Sequence, residues 1–281
     1  MIRKIFVDSR FRDAGSFSNF QYTLKAPVVH PKCRAYIDQI HIPNVFPTIH
    51  ANNKSLYVVE SFTDAQGQGV VKKRKVSLTQ SNYDIDTLAS ELEVQLNANT
   101  FFPNNSYAIT TDNLGKLTIA LTGLGNGNTQ IWSMQYLLDH SNLWVDSTSN
   151  QTGTFVPHDD CYSAIGFTQD GITTVTHTSS VQGNAHVSII PFHTLYLTSS
   201  FGLGTNEDSV GPRCGNSILR SIVVNTNFGS MIHDMLQNPF DYTALEAGQL
   251  TSFEFALKDT FGRDVPLNQS FSFSILLVED E

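Results

Sequence analysis

One short motif in the chain matches the start of an iron site. His158 and Asp160 form a His-x-Asp pair, and such a pair with a distant His is the facial triad of non-haem iron oxygenases, some of which use jelly-roll barrels. Four later residues could supply the third ligand: His177, His186, His193 and His233. None of them has the Arg or Lys that these oxygenases usually place after the distal His. His158 also follows Pro157 in a polar segment, which favours a solvated turn over an enzyme.

Other patterns that carry catalysis or bind metals are missing from the sequence. It contains no G-x-S-x-G, H-E-x-x-H or Walker pattern. Cys33, Cys161 and Cys214 are odd in number and widely separated, which is typical neither of a disulfide framework nor of a Cys-rich zinc site. We therefore predict that the chain is not an enzyme and has no catalytic residue, cofactor or metal.

Three aromatic residues in the middle of the chain suggest a second kind of chemistry. Trp132, Tyr136 and Trp144 could stack on sugar rings, because aromatic side chains suit such contacts when they are exposed. A carbohydrate- or receptor-binding module is therefore an alternative function. Packing of the same residues into a small core explains them equally well.

The run Lys72, Lys73, Arg74 and Lys75 is the one dense cluster of cations. Four adjacent cations suit an acidic importin groove, so the run is a candidate localisation signal. Charged residues along a strand edge also prevent strands from associating between molecules. This second interpretation needs no partner.

Composition narrows the function classes. The 281 residues are only 15% charged, against roughly 25% in an average soluble domain. A net charge of −9 argues against strong nucleic-acid binding. The first residues lack the apolar core of a signal peptide, and no apolar run is long enough to predict a membrane span.

Alternation of apolar and polar residues predicts that most of the chain forms strands with one buried face. It is clearest in residues 250–278, where a loop with Asp259, Gly262 and Pro266 separates two strands. We predict a terminal hairpin whose apolar residues are buried: Phe253, Phe255, Leu257, Phe271, Phe273, Ile275 and Leu277. Ser274 should face the other way.

The number of strands predicts the fold class. Three strands before a central insert and five after it give eight, the number in a jelly-roll sandwich of two four-stranded sheets. The count alone leaves an immunoglobulin-like sandwich open. We assign residues 1–60 and 186–281 to an all-β jelly roll, and residues 61–185 to an inserted α+β subdomain.

The insert has its own sequence character. Residues 85–97 place apolar side chains at helical spacing, and an Asp before them can cap the helix. Residues 107–121 form two short alternating runs around Asp112-Asn113-Leu114-Gly115, which predicts a β-hairpin. A separate small core is expected.

Several phrases together resemble a family of viral capsid proteins. They are VDSRFRDAGSFSNFQYTL near the start, PNVFPTIHANNKSLYV at 43–58, YDIDTLASELEVQLN over the helix, YAITTDNLGKLTI over the hairpin, and FEFALKDTFGRDVPLNQSFSFSILL at the end. The chain resembles the penton, or vertex, proteins of virophages, Polinton-like viruses and related double-jelly-roll viruses. The resemblance spans most of the chain, but no single motif is diagnostic of the family.

The resemblance implies a structural virion protein. Members of this family are minor capsid proteins that have a single jelly roll, assemble as pentamers and fill the five-fold vertices of an icosahedral shell. The partners implied are other copies of the chain, a neighbouring major capsid protein and, through a projecting insert, a host receptor. The implied location is the capsid vertex of the virion, after synthesis in the host cytoplasm or nucleus.

Overall fold

The computed structural model describes most of the chain, and the chain divides into two compact units. The described residues are 2–63, 68–98, 100, 106–122, 128–132, 143–146, 152–154, 160–167, 172–176, 180–200 and 218–279. We call Met1–Phe46 with Phe192–Glu281 the sandwich unit, and Pro47–Pro191 the insert unit.

The strands are numbered along the chain. The first segment of the sandwich unit contains β1 Ile2–Asp8, β2 Ala14–Gly15, β3 Asn19–His30 and β4 Cys33–Pro43. The insert unit contains β5 Ser55–Thr63, β6 Gly69–Ser77, helix α1 Ile85–Asn97, β7 Tyr107–Thr111, β8 Leu117–Leu121, β9 Asn128–Trp132, β10 Leu143–Asp146, β11 Thr152–Thr154, β12 Ile172–Thr176 and β13 Ser180–Gln182. The second segment of the sandwich unit contains β14 Thr194–Ser199, β15 Ile218–Val223, β16 Met231–Met235, β17 Thr243–Leu245, β18 Gly248–Lys258 and β19 Ser272–Glu279.

The sandwich unit is a jelly roll. Its first sheet has the order β1-β19-β4-β16, with the short β17 also on β4, and its second has the order β15-β14-β18-β3-β2. All of these pairs are antiparallel. Without the short β2 and β17, the sandwich unit has eight strands. Counted along the chain from one to eight, they have the orders 1-8-3-6 and 2-7-4-5 in the two sheets, which is the arrangement of a jelly roll. The predicted fold class is confirmed.

The prediction of a terminal hairpin is wrong. β18 pairs with β14 and β3 in the second sheet, whereas β19 pairs with β1 and β4 in the first. Alternation shows that each strand has a buried face, but it does not show which strand lies beside it. The aromatic faces meet across the sandwich instead, where the ring centroids of Phe255 and Phe273 are 4.9 Å apart and the ring planes lie at 81°.

The connection between β18 and β19 is held by Asp259. Its carboxylate accepts the backbone N–H groups of Phe261 and Arg263 at 2.9 Å each, and the side-chain Nε of Arg263 at 2.8 Å. Gly262 in the same turn has a φ of 77°, a left-handed conformation that side chains with a Cβ disfavour. These contacts redirect the chain from one sheet to the other.

The insert unit has a core of its own between a helix and β-strands. Five β5 positions pair with β9, and β6 covers the other edge of β5, within a sheet of order β11-β10-β6-β5-β9-β12. A second sheet has the order β13-β8-β7. Helix α1 buries its apolar side chains in this core: Leu88, Ala89, Leu92 and Leu96. It begins at Ile85 and ends at Asn97, the residues that the sequence predicts.

The boundaries of the insert unit differ from the sequence assignment of residues 61–185. The unit begins at Pro47 and ends at Pro191, because β5, which the sequence assigns in part to the jelly roll, pairs with β6 and β9. Residues 186–190, which the sequence assigns to the jelly roll, form no strand and lie in the insert unit.

Candidate functional site

The first sheet of the sandwich unit has an exposed side that we call the outer sheet face. On β1 the buried residue is Val7, and on β16 it is Ile232, so their neighbours along each strand point outward. The outer sheet face is formed by Ile2, Lys4, Phe6, Asp8, Gln39, His41, Met231, His233, Met235, Ser272 and Leu276.

Large apolar side chains on this face are exposed to solvent. Ile2 and Phe6 on β1 are each 71% exposed, and Met231 and Met235 on β16 are 53% and 52% exposed. They stand on the two outer strands of the sheet, with the half-buried Leu276 between them. Apolar residues exposed at both edges of one sheet face are typical of a surface that another protein covers.

The charges of the same face are largely neutralised within the chain. Lys4 forms an ion pair with Asp38, and the hydrogen bond from Lys4 lowers the pKa of Asp38. Asp8 accepts the Nε of Arg10 at 3.0 Å, and this interaction lowers the pKa of Asp8. A partner that covers the face therefore meets few unpaired charges, which lowers the cost of removing water from it.

The second sheet has a different exterior. Its exposed residues are mostly polar: Asn19, Gln21, Thr23 and Lys25 on β3, Ser252 and Glu254 on β18, and Ser221 on β15. Val29 on β3 and Val223 on β15 are the exceptions, at 73% and 61% exposed. The exteriors of the two sheets therefore differ, and that of the first sheet carries the larger exposed apolar side chains.

A cavity of about 350 Å³ opens at one end of the outer sheet face. Phe6, Phe11, Tyr22, Gln39 and His41 are among the residues that line it. Phe11 is 69% exposed, and the guanidinium of Arg10 lies 5.9 Å from the centroid of its ring. Aromatic rings line the cavity together with the polar side chains of Asp8, Gln39 and Ser272, and it could receive a side chain of a neighbouring protein.

Two histidines stack on this face. His41 on β4 is directly opposite His233 on β16, and their ring centroids are 4.5 Å apart, with planes 10° from parallel. Burial, and then the charge of His233, lower the pKa of His41. The sequence considered His233 only as an iron ligand and did not single out His41. Only the sheet register brings the two rings together.

Arg220 on β15 binds β16 through residues that do not belong to the His pair. Its Nε donates to Asp234 at 2.7 Å and its Nη2 to the carbonyl oxygen of Met235 at 3.0 Å, and Nη1 pairs with Asp241. Burial acts to lower the pKa of Arg220, but the hydrogen bonds and charges of the two aspartates outweigh it and raise the pKa. Arg220 thus connects the edge of the second sheet to the edge of the first.

The aromatic residues proposed for sugar binding do not form a cluster on neighbouring strands. Trp132 ends β9 and Trp144 lies in β10, and β5 and β6 separate these strands in the sheet. Three strand spacings of about 4.8 Å place the two strands roughly 14 Å apart. Tyr136 lies outside the described residues. Sugar binding by these residues stays a prediction.

The basic run is divided by the fold. All four residues lie in β6, but Arg74 is fully buried and pairs with the equally buried Glu60 at 2.7 Å. Lys72 is exposed, and Lys73 and Lys75 are half-buried, so the run does not present four adjacent cations to solvent. The localisation interpretation rests on the three lysines alone.

Arg74 instead organises a buried polar network in the insert unit. It donates to the carbonyl oxygens of Leu96 and Ala98 at 2.9 Å each, which satisfies acceptors at the C-terminus of α1. The hydroxyl of Tyr107 donates to Glu60 at 2.8 Å, and burial, followed by the charge of Glu60, raises the pKa of Tyr107. No pattern in the sequence indicates that one residue of the basic run is internal.

The described residues considered for an iron site are divided between the two units. His158 and His177 lie outside the described residues. Asp160 and His186 belong to the insert unit, whereas His193 and His233 belong to the sandwich unit. In the part of the chain that the structure describes, no three His, Cys, Asp or Glu side chains gather to hold a metal.

Comparisons with known proteins give likenesses among solved structures alone. No protein-family profile matches the chain, and no curated protein matches it. Among solved structures, the chain is similar to selenomethionine-labelled mavirus penton protein. The likeness covers 98% of this chain and 99% of that chain, with a TM-score of 0.48 and 10% sequence identity. Likeness at this level carries no inference about binding or assembly.

A separate finding concerns membranes. No helix among the described residues is both long and apolar enough to cross a bilayer.

Proposed function

We propose that the chain is a structural capsid protein that forms a ring of five copies at the vertices of an icosahedral shell, next to a major capsid protein. The observation that carries the proposal is the outer sheet face, an exposed apolar surface on a jelly-roll sheet whose own charges are paired. The sequence phrases shared with penton proteins support the same role. The protein acts through binding, without catalysis, and its place is the virion.

The composition of the outer sheet face suits a protein interface. Interface cores are enriched in aromatic residues and Met and depleted of unpaired charge, and Phe6, Met231 and Met235 have this character. A closed ring needs only one heterologous contact, in which one surface of each copy binds a different surface of the next. The outer sheet face provides one of these two surfaces.

Matched lysine substitutions on the two sheets test the proposal. Met235→Lys places a charge on the outer sheet face, and Thr23→Lys places the same charge on the polar exterior of the second sheet. Each variant is produced together with the major capsid protein, and its share in purified shells is measured by quantitative mass spectrometry. We expect Met235→Lys to reduce incorporation at least about tenfold, equivalent to about 1.4 kcal/mol of lost contact, and Thr23→Lys to incorporate like the wild type. Equal incorporation of both variants, or no wild-type chain in the shells, would contradict the proposal.

A receptor contact through the insert unit is a second, separate proposal. It is motivated by the insert's own core and by the aromatic residues Trp132 and Trp144, and it is compatible with a capsid role. A glycan array with the full chain tests it, with Trp132→Ala and Trp144→Ala as the variants that should lose any signal. An array without a signal would remove the proposal.

A further inference from the structure

The outer edge of the first sheet contains an arrangement that responds to acid. We propose that the stacked His41–His233 pair fastens edge strand β16 to β4 at neutral pH and releases it on acidification. The pair lies at the middle residue of β16, in direct register with β4. The centroid distance of 4.5 Å and the nearly parallel planes require at least one neutral ring, because two imidazolium ions at this distance repel each other.

The position of β16 makes this contact important. Among the described strands, β16 is at the end of the path β1-β19-β4-β16, so it has a sheet partner on one side only. Of its five residues, Ile232 is the one that is fully buried in the core. Edge strands with few buried side chains open locally at low free-energy cost. A change of charge on the His pair therefore acts on one of the few contacts that hold the strand.

The groups around the pair do not supply a compensating negative charge. Ser272 on β19 lies opposite His41 and is uncharged. Asp8 on β1 follows in the same row and is paired with Arg10, while Asp38 on β4 is paired with Lys4. Asp234 on β16 points to the opposite side of the strand and binds Arg220. Tyr22 on β3 lines the same cavity as His41 and has a hydroxyl in place of a carboxylate.

Acid therefore acts on the His pair. Because the folded state lowers the pKa of His41, the open strand takes up protons at a higher pH than the closed one. The stabilisation is present above the ordinary histidine value of about 6.5 and is lost as the pH falls below it. Without the stacked pair, β16 is left with its backbone pairing to β4 and with the Arg220 contacts.

Hydrogen exchange of the full chain tests the inference without any need for ring assembly, so its outcome is separate from that of the proposed function. Protection factors of the β16 amides are compared at pH 7.5 and pH 5.0, with the central strand β18 as an internal reference. In the wild type we expect the β16 amides to lose protection between pH 7.5 and pH 5.0. The loss should be about tenfold for each pH unit by which folding lowers the pKa of His41, while the protection of β18 changes little. His233→Phe keeps a stacked ring without a titrating group, so its β16 protection should change less than about twofold. The control His193→Gln, at an exposed residue of the same unit, should behave as the wild type.

Two results would overturn the inference: equal β16 protection at both pH values in the wild type, or the same loss in His233→Phe as in the wild type. If His233→Phe does not fold, the titration of the His41 ring in the wild type by NMR decides. A midpoint below 6.5 supports the fastening, and a midpoint at or above the ordinary value of about 6.5 contradicts it.

Discussion

Phe273 lies at the centre of the aromatic packing between the two sheets. It is 2% exposed, and its ring centroid is 4.9 Å from that of Phe255 and 5.8 Å from that of Phe271. Phe273→Ala removes these contacts and leaves a cavity, so we expect it to lower the free energy of unfolding by about 3–5 kcal/mol. Denaturant unfolding of the full chain, monitored by circular dichroism, measures the change in the free energy of unfolding.

Ser252→Ala is the control for this prediction. Ser252 is exposed on β18, and we expect its replacement to cost under about 0.5 kcal/mol. Ser274, which alternation predicts to face away from the aromatic residues, is unsuitable because it is fully buried and its hydroxyl donates to Asp38 at 3.2 Å. Equal effects of Phe273→Ala and Ser252→Ala would show that the aromatic cluster is not the core of the sandwich unit.

Arg74 and Glu60 form a fully buried ion pair in the insert unit. Arg74→Ala leaves the Glu60 charge without its cation and the carbonyl oxygens at the end of α1 without their donor. Breaking a buried pair in this way costs about 3–5 kcal/mol, and thermal unfolding followed by circular dichroism should detect it. Lys72→Ala, on the same strand but exposed, is the matched control and should be almost neutral. A neutral Arg74→Ala would contradict the buried network.

Helix α1 is the element whose packing the sequence predicts most directly. Leu92 is fully buried, whereas Val94, two residues later on the same helix, is 60% exposed. We expect Leu92→Ala to lower the stability of the insert unit by about 2–5 kcal/mol. Val94→Ala should be neutral or slightly stabilising, because Ala has the higher helix propensity. Similar losses for both variants, in thermal unfolding monitored at 222 nm, would mean that the buried face of α1 is assigned wrongly.

Local sequence patterns predict the elements that depend on neighbouring residues, and they fail for elements whose contacts come from distant parts of the chain. The bounds of α1 follow from helical spacing and from Asp84, whose carboxylate accepts the N–H of Thr87 at 2.8 Å. The turn between β7 and β8 follows from Asp112, which accepts the N–H groups of Leu114 and Lys116. Both depend on residues close in sequence. The strands β3 and β1, which pair with β18 and β19, lie more than 200 positions away, and no local pattern specifies such partners.

Local patterns also fail to predict the outer sheet face, because they do not show which strands are neighbours. Val7 and Ile232 are buried next to exposed neighbours, but no local pattern shows that Phe6 and Met235 belong to the same sheet. Only the order β1-β19-β4-β16 collects these exposed apolar residues on one face and places His41 opposite His233. The buried role of Arg74 was equally hidden, because its partners Leu96 and Ala98 come from the end of a helix.

At the scale of the whole molecule, the insert unit should be removable. Phe46 and Phe192, the residues that flank it, have ring centroids only 5.4 Å apart, so a short Gly/Ser linker can replace Pro47–Pro191. The sandwich unit has its own hydrophobic core, and we expect the shortened chain to fold. Its circular dichroism should lose the helical component and keep a cooperative unfolding transition.

A shortened chain that never folds would contradict the independence of the two cores. The control is a chain in which the linker replaces residues 61–185, the boundaries that the sequence suggests. It retains most of β5 without β6 and β9, its partners in the sheet, and should be less stable or aggregate. Better folding of this control than of the shortened chain would place the boundary where the sequence predicted it.

The mass of the assembled protein shows whether the chain forms a ring of five copies. Native mass spectrometry is applied to the wild type over a range of concentrations, alone and with the major capsid protein, with Met235→Lys as the variant that should weaken assembly. We expect a species of five copies, about 156 kDa from a chain mass of 31.1 kDa. This species should be less abundant for Met235→Lys than for the wild type. Only monomers, dimers or trimers in every condition would contradict it.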